Sequence, residues 1–221
     1  MIRTAVFDLP GANRREILRY SGTKEETPAL SALLDEALAE ARSVLTGSVC
    51  WSEFPVRFND GLLDLGFAQV RSHALERNLA GCDRIVVFGA TLGLGLDRLI
   101  TRYGHLSPAK ALMLQAVGAE RIEALCDVFC DRIRLETEAS GLFPRPRFSP
   151  GYGDFPLELQ KDIFRVLDCS RKIGLTLNES LLMSPSKSVT AIIGLGPCAG
   201  TDHPIRCSSC SKTDCVYRRT P

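Results

Sequence analysis

Two stretches of the chain carry residue types and spacings that could do chemistry. The first is Phe143-Pro-Arg-Pro-Arg-Phe-Ser-Pro-Gly-Tyr-Gly-Asp-Phe-Pro156, with four prolines and two glycines in fourteen residues. Proline removes backbone donors and fixes φ, so this segment cannot run as a helix and must be a shaped loop. It is either a connection between the flanking helices or a ligand cradle. As a cradle it offers backbone amides and carbonyls beside Gly151, the guanidinium of Arg147, and the ring and hydroxyl of Tyr152. A guanidinium grips a carboxylate through two parallel hydrogen bonds, backbone groups pair with the edge of a base, and an aromatic ring covers a flat face. That set suits a zwitterionic nucleoside. The second stretch is the tail, where Cys198, Cys207, Cys210 and Cys215 follow the spacing C-x8-C-x2-C-x4-C. Four thiolates in a short polar segment with no core of its own are the means by which a small module is held around a metal. Tetrahedral zinc and a [4Fe–4S] cluster both take such a set, and the spacing matches no standard pattern of either. His203, before a proline, is a fifth candidate for zinc or an ordinary loop histidine.

The elements that position these residues are legible in outline. Arg3–Leu9 reads as a strand and Asn13–Tyr20 as a short helix with Ile17 and Leu18 turned inward. Thr27-Pro28 is a helix start, a capping hydroxyl followed by proline at the first helical position, and Leu30, Leu33, Leu34, Ala37, Leu38 and Ala41 continue it at helical spacing. Val44–Phe58 reads as extended, and Gln69–Ala80 as a helix stopped by Gly81. Arg84–Phe88 is a buried-strand pattern that enters Gly89-Ala-Thr-Leu-Gly93-Leu-Gly95 and then a helix ending near Gly104. That glycine run is G-x-x-x-G-x-G, not the G-x-G-x-x-G of a dinucleotide site, and it reads better as close strand–helix packing. Ser107-Pro108 starts a long helix reaching towards Glu138, with Gly118 as a point where it could bend. Cys126 and Cys130 on this helix, and Cys50, Cys82 and Cys169 elsewhere, have apolar neighbours and read as small core residues. Pro156–Leu167 is an amphipathic helix.

Beside these patterns stands a resemblance. Arg147-x-x-Pro150-Gly151-Tyr152 resembles the R-x-x-P-G-Y signature of the activation domain of cobalamin-dependent methionine synthase. About twenty residues on, Gly174-Leu-Thr-Leu177-Asn-Glu179-Ser180-Leu-Leu-Met183-Ser-Pro185-Ser-Lys-Ser188-Val189 resembles that family's G-x-x-L-x-E-S-x-x-M-x-P-x-x-S-V. The similarity spans about Ala119 to Leu195. It implies S-adenosylmethionine binding, with Arg147 on the methionine carboxylate, the backbone of Ser149, Pro150 and Gly151 on the adenine, and Tyr152 closing the pocket. An acidic partner for the ammonium group is also required. Asp127 and Asp131, on the preceding helix, are candidates for it or members of a solvated helix face; Glu179 and Ser188 read as braces of the sheet. A proline commonly follows Gly-Tyr in the family, and Gly153 stands there in this chain, which predicts a looser exit from the loop. Residues that the larger enzyme uses later in its sequence have no counterpart, because the chain turns into the cysteine tail.

The resemblance implies an accessory component that supports reductive methylation, and so reactivation, of the cobalamin of a separate methionine synthase or related corrinoid methyltransferase, supplied in trans. The cobalamin belongs to that partner alone, and an electron donor such as flavodoxin or ferredoxin is implied with it. The cobalt supplies the nucleophile, so no catalytic acid or base is needed, and none is identified. Restoring an oxidised cobalamin takes an electron, which favours iron–sulfur over zinc in the tail. The reading from another class is a non-catalytic S-adenosylmethionine sensor or an iron–sulfur electron-transfer adaptor for a corrinoid protein.

Composition bounds these readings. The chain has 221 residues, 45% of them hydrophobic, enough for one large domain with a small appendage. Lysine and arginine (27) nearly balance aspartate and glutamate (26), so no broad basic face points to nucleic acid or an anionic membrane. The first twenty residues lack a signal-peptide apolar core, and no stretch approaches the roughly 20 apolar residues that span a bilayer. A cytoplasmic location is expected, and there nine cysteines are not a disulfide framework. The expected architecture is α+β, a mainly antiparallel sheet covered by helices, with residues 1–196 as the S-adenosylmethionine-binding domain and 197–221 as the metal-binding tail.

Overall fold

The computed structural model describes residues 1–23 and 25–197. The tail ligands Cys198, Cys207, Cys210 and Cys215, and His203, lie outside the described residues, as does nearly all of the second expected domain. In chain order the elements are β1 (Arg3–Phe7), α1 (Arg14–Tyr20), α2 (Pro28–Arg42), β2 (Gly47–Pro55), β3 (Arg57–Asn59), β4 (Leu62–Asp64), β5 (Gln69–Val70), α3 (His73–Asn78) and β6 (Arg84–Thr91). There follow α4 (Leu94–Leu106), α5 (Pro108–Glu138), β7 (Phe143–Pro144), α6 (Gln160–Leu167), α7 (Cys169–Ile173), β8 (Thr176–Leu177), β9 (Met183–Ser184) and β10 (Ser188–Gly196).

The strongest apolar runs form the centre of one five-stranded sheet, ordered β1-β2-β6-β10-β7, with every neighbouring pair antiparallel. This is the expected α+β architecture. Residues 85–91 of β6 are buried throughout, because the sheet is covered on both faces. On one face lie α1, α2, α4 and α5, around Trp51, Phe88 and Phe129, whose rings meet at 4.7 and 5.3 Å between centroids. On the other lie α3, α6, α7 and the small sheet β3-β4-β5, around Leu63, Leu65, Phe155 and Ile163.

Local chemistry accounts for the helix starts. The Asn13 side chain accepts from Glu16 N at 3.2 Å, and Thr27 Oγ1 from Leu30 N at 3.3 Å with Pro28 opening α2. One expected helix is corrected. Gln69–Ala80 is not continuous: Gln69 and Val70 pair with Asp64 and Leu63 as strand, and only His73–Asn78 is helical. Ser72 breaks the segment by capping α3, its hydroxyl accepting from Leu75 N at 3.1 Å.

The glycine run after β6 packs and does not bind a dinucleotide. Both neighbours of β6 are antiparallel to it, so the parallel β-α-β unit that site requires does not exist here. At Gly95 a β-carbon would lie 2.6 Å from the Val44 carbonyl oxygen, so glycine is what lets α4 approach the end of α2. Gly118 sits inside the unbroken α5, where a β-carbon would meet Leu96 at 2.5 Å; it admits α4 and does not end the helix.

All five described cysteines are thiols within the two cores or against them. Burial pushes the Cys126 and Cys130 thiols up, which keeps them protonated. Among the described residues no His, Cys, Asp and Glu cluster could hold a metal, and no helix is long and apolar enough to cross a membrane.

Candidate functional site

The sheet has an open edge where the loop meets it. β7 pairs only with Leu195 and Gly196 of β10, after which the loop runs alongside: Arg145 N donates to Gly194 O at 2.7 Å, and Phe148 and Ile192 exchange hydrogen bonds of 2.8 and 2.9 Å. At Ser149 the chain departs. Backbone groups two residues apart in a strand point the same way, so those of Thr190 and Ser188 face outward where the loop has left. A cleft of about 900 Å³ occupies this place, lined by α5, the loop, Gln160 of α6, Met183 and the Ser188–Thr190 segment. A second hollow of about 680 Å³ lies beside β1 and α2, lined by Arg42 and by Arg121, the latter already bound to Glu120 and to the carbonyls of Pro10 and Gly11.

Arg147 stands in the cleft 25% exposed, held by two acids of α5: Nη1 donates to Asp127 Oδ1 and Nη2 to Glu123 Oε2, each at 2.5 Å. These contacts fix the plane of the guanidinium, and Nη1 also faces the Cys130 Sγ at 4.0 Å. Asp127, with its side chain 66% exposed, thus pairs with the loop from the solvent-facing side of α5, and Asp131, 65% exposed, pairs with Arg134 along the helix at 3.1 Å. Glu123 was not among the sequence candidates, although a signal existed: Glu123, Asp127 and Asp131 repeat every four residues and so share one face of α5.

Ser149, Pro150 and Tyr152 line the same cleft, and Gly151 turns the chain between them. Gly151 N donates to Phe155 O at 2.8 Å, and Ser149 O accepts from Tyr152 N at 3.2 Å. That narrows what Ser149–Gly151 offers to a base edge: the Ser149 amide and the carbonyls of Pro150 and Gly151 remain. Tyr152 is 66% exposed at the rim, its ring 6.4 Å from that of Phe148.

The exit from the loop is anchored, not looser. Gly153 has φ of +57°, and a β-carbon there would lie 3.0 Å from Ala74. This close approach lets Asp154 cap α3: its carboxylate accepts from the Ser72 hydroxyl at 2.6 Å, His73 N at 2.8 Å and Ala74 N at 3.0 Å. The Ser72 hydroxyl and these amides hold the Asp154 pKa down at about 2.

The second motif builds the strand that floors the cleft. Gly174 ends α7, Leu175 enters the core, β8 and β9 form a hairpin, and Pro185 follows through a cis bond. Ser186 donates to Asp97 of α4 through its amide at 2.7 Å and its hydroxyl at 2.5 Å. Ser188 Oγ and Thr91 Oγ1 share a hydrogen bond of 2.8 Å that braces β10 against β6, and the Ser188 hydroxyl also reaches the Pro185 carbonyl oxygen at 2.8 Å. Glu179 takes no part in that brace and lies exposed in the turn between β8 and β9.

Comparisons with known proteins agree with this architecture. Residues 74–201 match the family model described as vitamin B12 dependent methionine synthase, activation domain. A crystal structure described as the MetH reactivation domain bound to AdoHcy superposes with a TM-score of 0.62 at 17% identity, covering 91% of this chain and 80% of that one. No curated protein matches the chain.

Proposed function

The chain belongs to the family of vitamin B12 dependent methionine synthase activation domains, and from that premise we propose that the cleft beside β10 binds S-adenosylmethionine. The observation that carries this is the meeting of Arg147, Glu123 and Asp127 with the Pro-Gly-Tyr loop in one cleft of about 900 Å³. Arg147 takes the methionine carboxylate. Glu123 and Asp127, which orient it, are placed for the ammonium group. The Ser149–Gly151 backbone meets the adenine, and Tyr152 folds over the mouth. AdoHcy, which the related crystal structure is described as holding, is the same molecule without the methyl group.

The chain's role is then to present the sulfonium methyl to the cobalamin of a separate methionine synthase core or related corrinoid methyltransferase. One electron from a donor such as flavodoxin or ferredoxin reduces the partner's cobalt, the methyl group passes to it, and AdoHcy remains. The protein contributes position and exclusion of water, not a proton, which fits a cleft in which Arg147, Glu123 and Asp127 already pair with one another. The tail cysteines, Cys198, Cys207, Cys210 and Cys215, are proposed as ligands of an iron–sulfur cluster, with zinc as the alternative.

Titration calorimetry with AdoHcy tests the pocket. Arg147→Ala removes a charge-assisted hydrogen bond and should weaken AdoHcy by about ten- to a hundredfold. Unchanged affinity removes the reading. For the whole function, the chain with reductant and S-adenosylmethionine should restore activity to an inactivated methionine synthase core.

A further inference from the structure

Five buried side-chain polar atoms among the described residues have no hydrogen-bond partner, and four belong to residues of this one cleft: Asn78 Oδ1, Arg145 Nε, Gln160 Oε1 and Thr190 Oγ1. Folded chains rarely bury a polar atom unmet, so such a concentration is a property of the cleft and not of the fold at large. Gln160 and Thr190 are the most buried, at 6% and 2% exposure. Neither residue is drawn into the motifs that mark the loop and the hairpin.

Their placement divides the cleft by chemistry. Ser188 bonds Thr91 on the α6 side of the sheet, and alternation along β10 puts Thr190 on that side too, level with Gly89. Gln160 opens α6 and shares its buried stripe with Ile163 and Leu167. Glu123 and Asp127, by contrast, come from α5 on the opposite face and draw Arg147 to them. The open edge of β10 thus separates a charged end from a neutral polar end.

S-adenosylmethionine has the same division. Its amino-acid half carries the carboxylate and ammonium charges and its sulfonium lies at the junction, while its nucleoside half is uncharged and donates through the adenine amino group and the ribose hydroxyls. Resting on the function proposed above, we infer that Gln160 and Thr190 are specificity-determining residues for the nucleoside half. As the ligand enters, each side chain turns its oxygen from just beneath the cleft wall and accepts a hydrogen bond from the adenine amino group or a ribose hydroxyl. Neither oxygen has a partner within the chain, and a ligand donor would supply one.

The test uses the whole chain with two probes: AdoHcy, and 5′-methylthioadenosine, which keeps the nucleoside and lacks the amino-acid charges. Thr190→Val and Gln160→Met are close in volume to the residues they replace and delete only hydrogen-bonding groups. Each should weaken both probes by about 5- to 100-fold, the range for a buried hydrogen bond lost from one side. Thr190→Ser should restore binding, and Arg147→Ala should weaken AdoHcy while leaving 5′-methylthioadenosine unchanged. Without ligand, the Val and Met variants should melt at or above the wild-type temperature, because an unmet buried polar group is gone; a residue that merely braced the fold would melt lower. Wild-type AdoHcy binding with both variants unchanged, or affinity lost only in step with a lowered melting temperature, overturns this inference alone. A wild-type chain that binds neither probe overturns the proposed function and this inference with it.

Discussion

Two glycines of α4 should respond to the same substitution with opposite signs. At Gly95 a new methyl group would lie 2.6 Å from the Val44 carbonyl oxygen and 2.7 Å from its Cβ. Both are far inside the about 3.5–4.0 Å of a comfortable contact. Neither neighbour is the end of a flexible side chain, so the start of α4 must move away from the α2–β2 connection. Overpacking of this kind costs about 1–3 kcal/mol. The helix-propensity gain of alanine, up to about 1 kcal/mol in a helix interior, is smaller at the second residue of a helix. Gly95→Ala should therefore destabilise by about 1–2 kcal/mol, a fall in Tm of about 2–8 °C for a domain of this size. Gly104, exposed in the last turns of the same helix, has nothing within 4 Å of an added β-carbon. Gly104→Ala should stabilise by about 0.5–1 kcal/mol. Urea and thermal unfolding of the two variants beside the wild type decide the matter, and AdoHcy affinity should be unchanged in both. If Gly95→Ala matches or exceeds wild-type stability, the close approach described for the glycine turn is wrong. If it abolishes ligand binding with the fold intact, the turn is a binding element after all.

Other outcomes follow from the site and the cores. Asp154→Ala should free the exit of the loop, weakening AdoHcy and exposing the 149–156 segment to faster amide exchange. Because the folded pKa of Asp154 lies near 2, below the ordinary carboxylate value, its stabilising effect is present above about pH 4 and fades between about pH 4 and 2. Wild-type unfolding curves over that window should show a pH dependence that the alanine variant lacks in part. Cys126, its thiol pushed up by burial, should resist alkylation in native protein at pH 8 and react once the chain is unfolded. In the tail, Cys207→Ser with Cys210→Ser should abolish stoichiometric metal in elemental analysis of anaerobically purified protein while sparing AdoHcy affinity. Metal retained by that double variant would remove these thiols from the ligand set.

What the sequence revealed divides along the range of the interactions involved. Thr27-Pro28 disclosed α2 because cap and helix are neighbours, and Arg84–Phe88 disclosed β6 because a strand buried on both faces must be apolar throughout. The helix expected over Gln69–Ala80 failed because β4 draws Gln69 and Val70 into a strand and because Asp154, about eighty residues on, joins the Ser72 cap by satisfying the amides of His73 and Ala74. The same bond reversed the expectation drawn from Gly153. Arg147 and Tyr152 could be picked out by motif. Glu123 required the helical period of α5 to be read together with the loop, and Gln160 and Thr190 could not be found at all, since a polar residue at a helix start or on a strand is ordinary until its burial is known.

The cleft wall bears three carboxylates, Glu123, Asp127 and Asp131, and three guanidiniums, Arg134, Arg145 and Arg147. Summed at neutral pH they cancel, so the cleft wall carries no net charge. A phosphorylated nucleotide gains nothing by approaching it, and a ligand whose own charges nearly cancel loses nothing. Association should then proceed without electrostatic steering, and the affinity for AdoHcy should change little as ionic strength rises. Selection happens only on contact, where each charge meets its opposite at hydrogen-bond range.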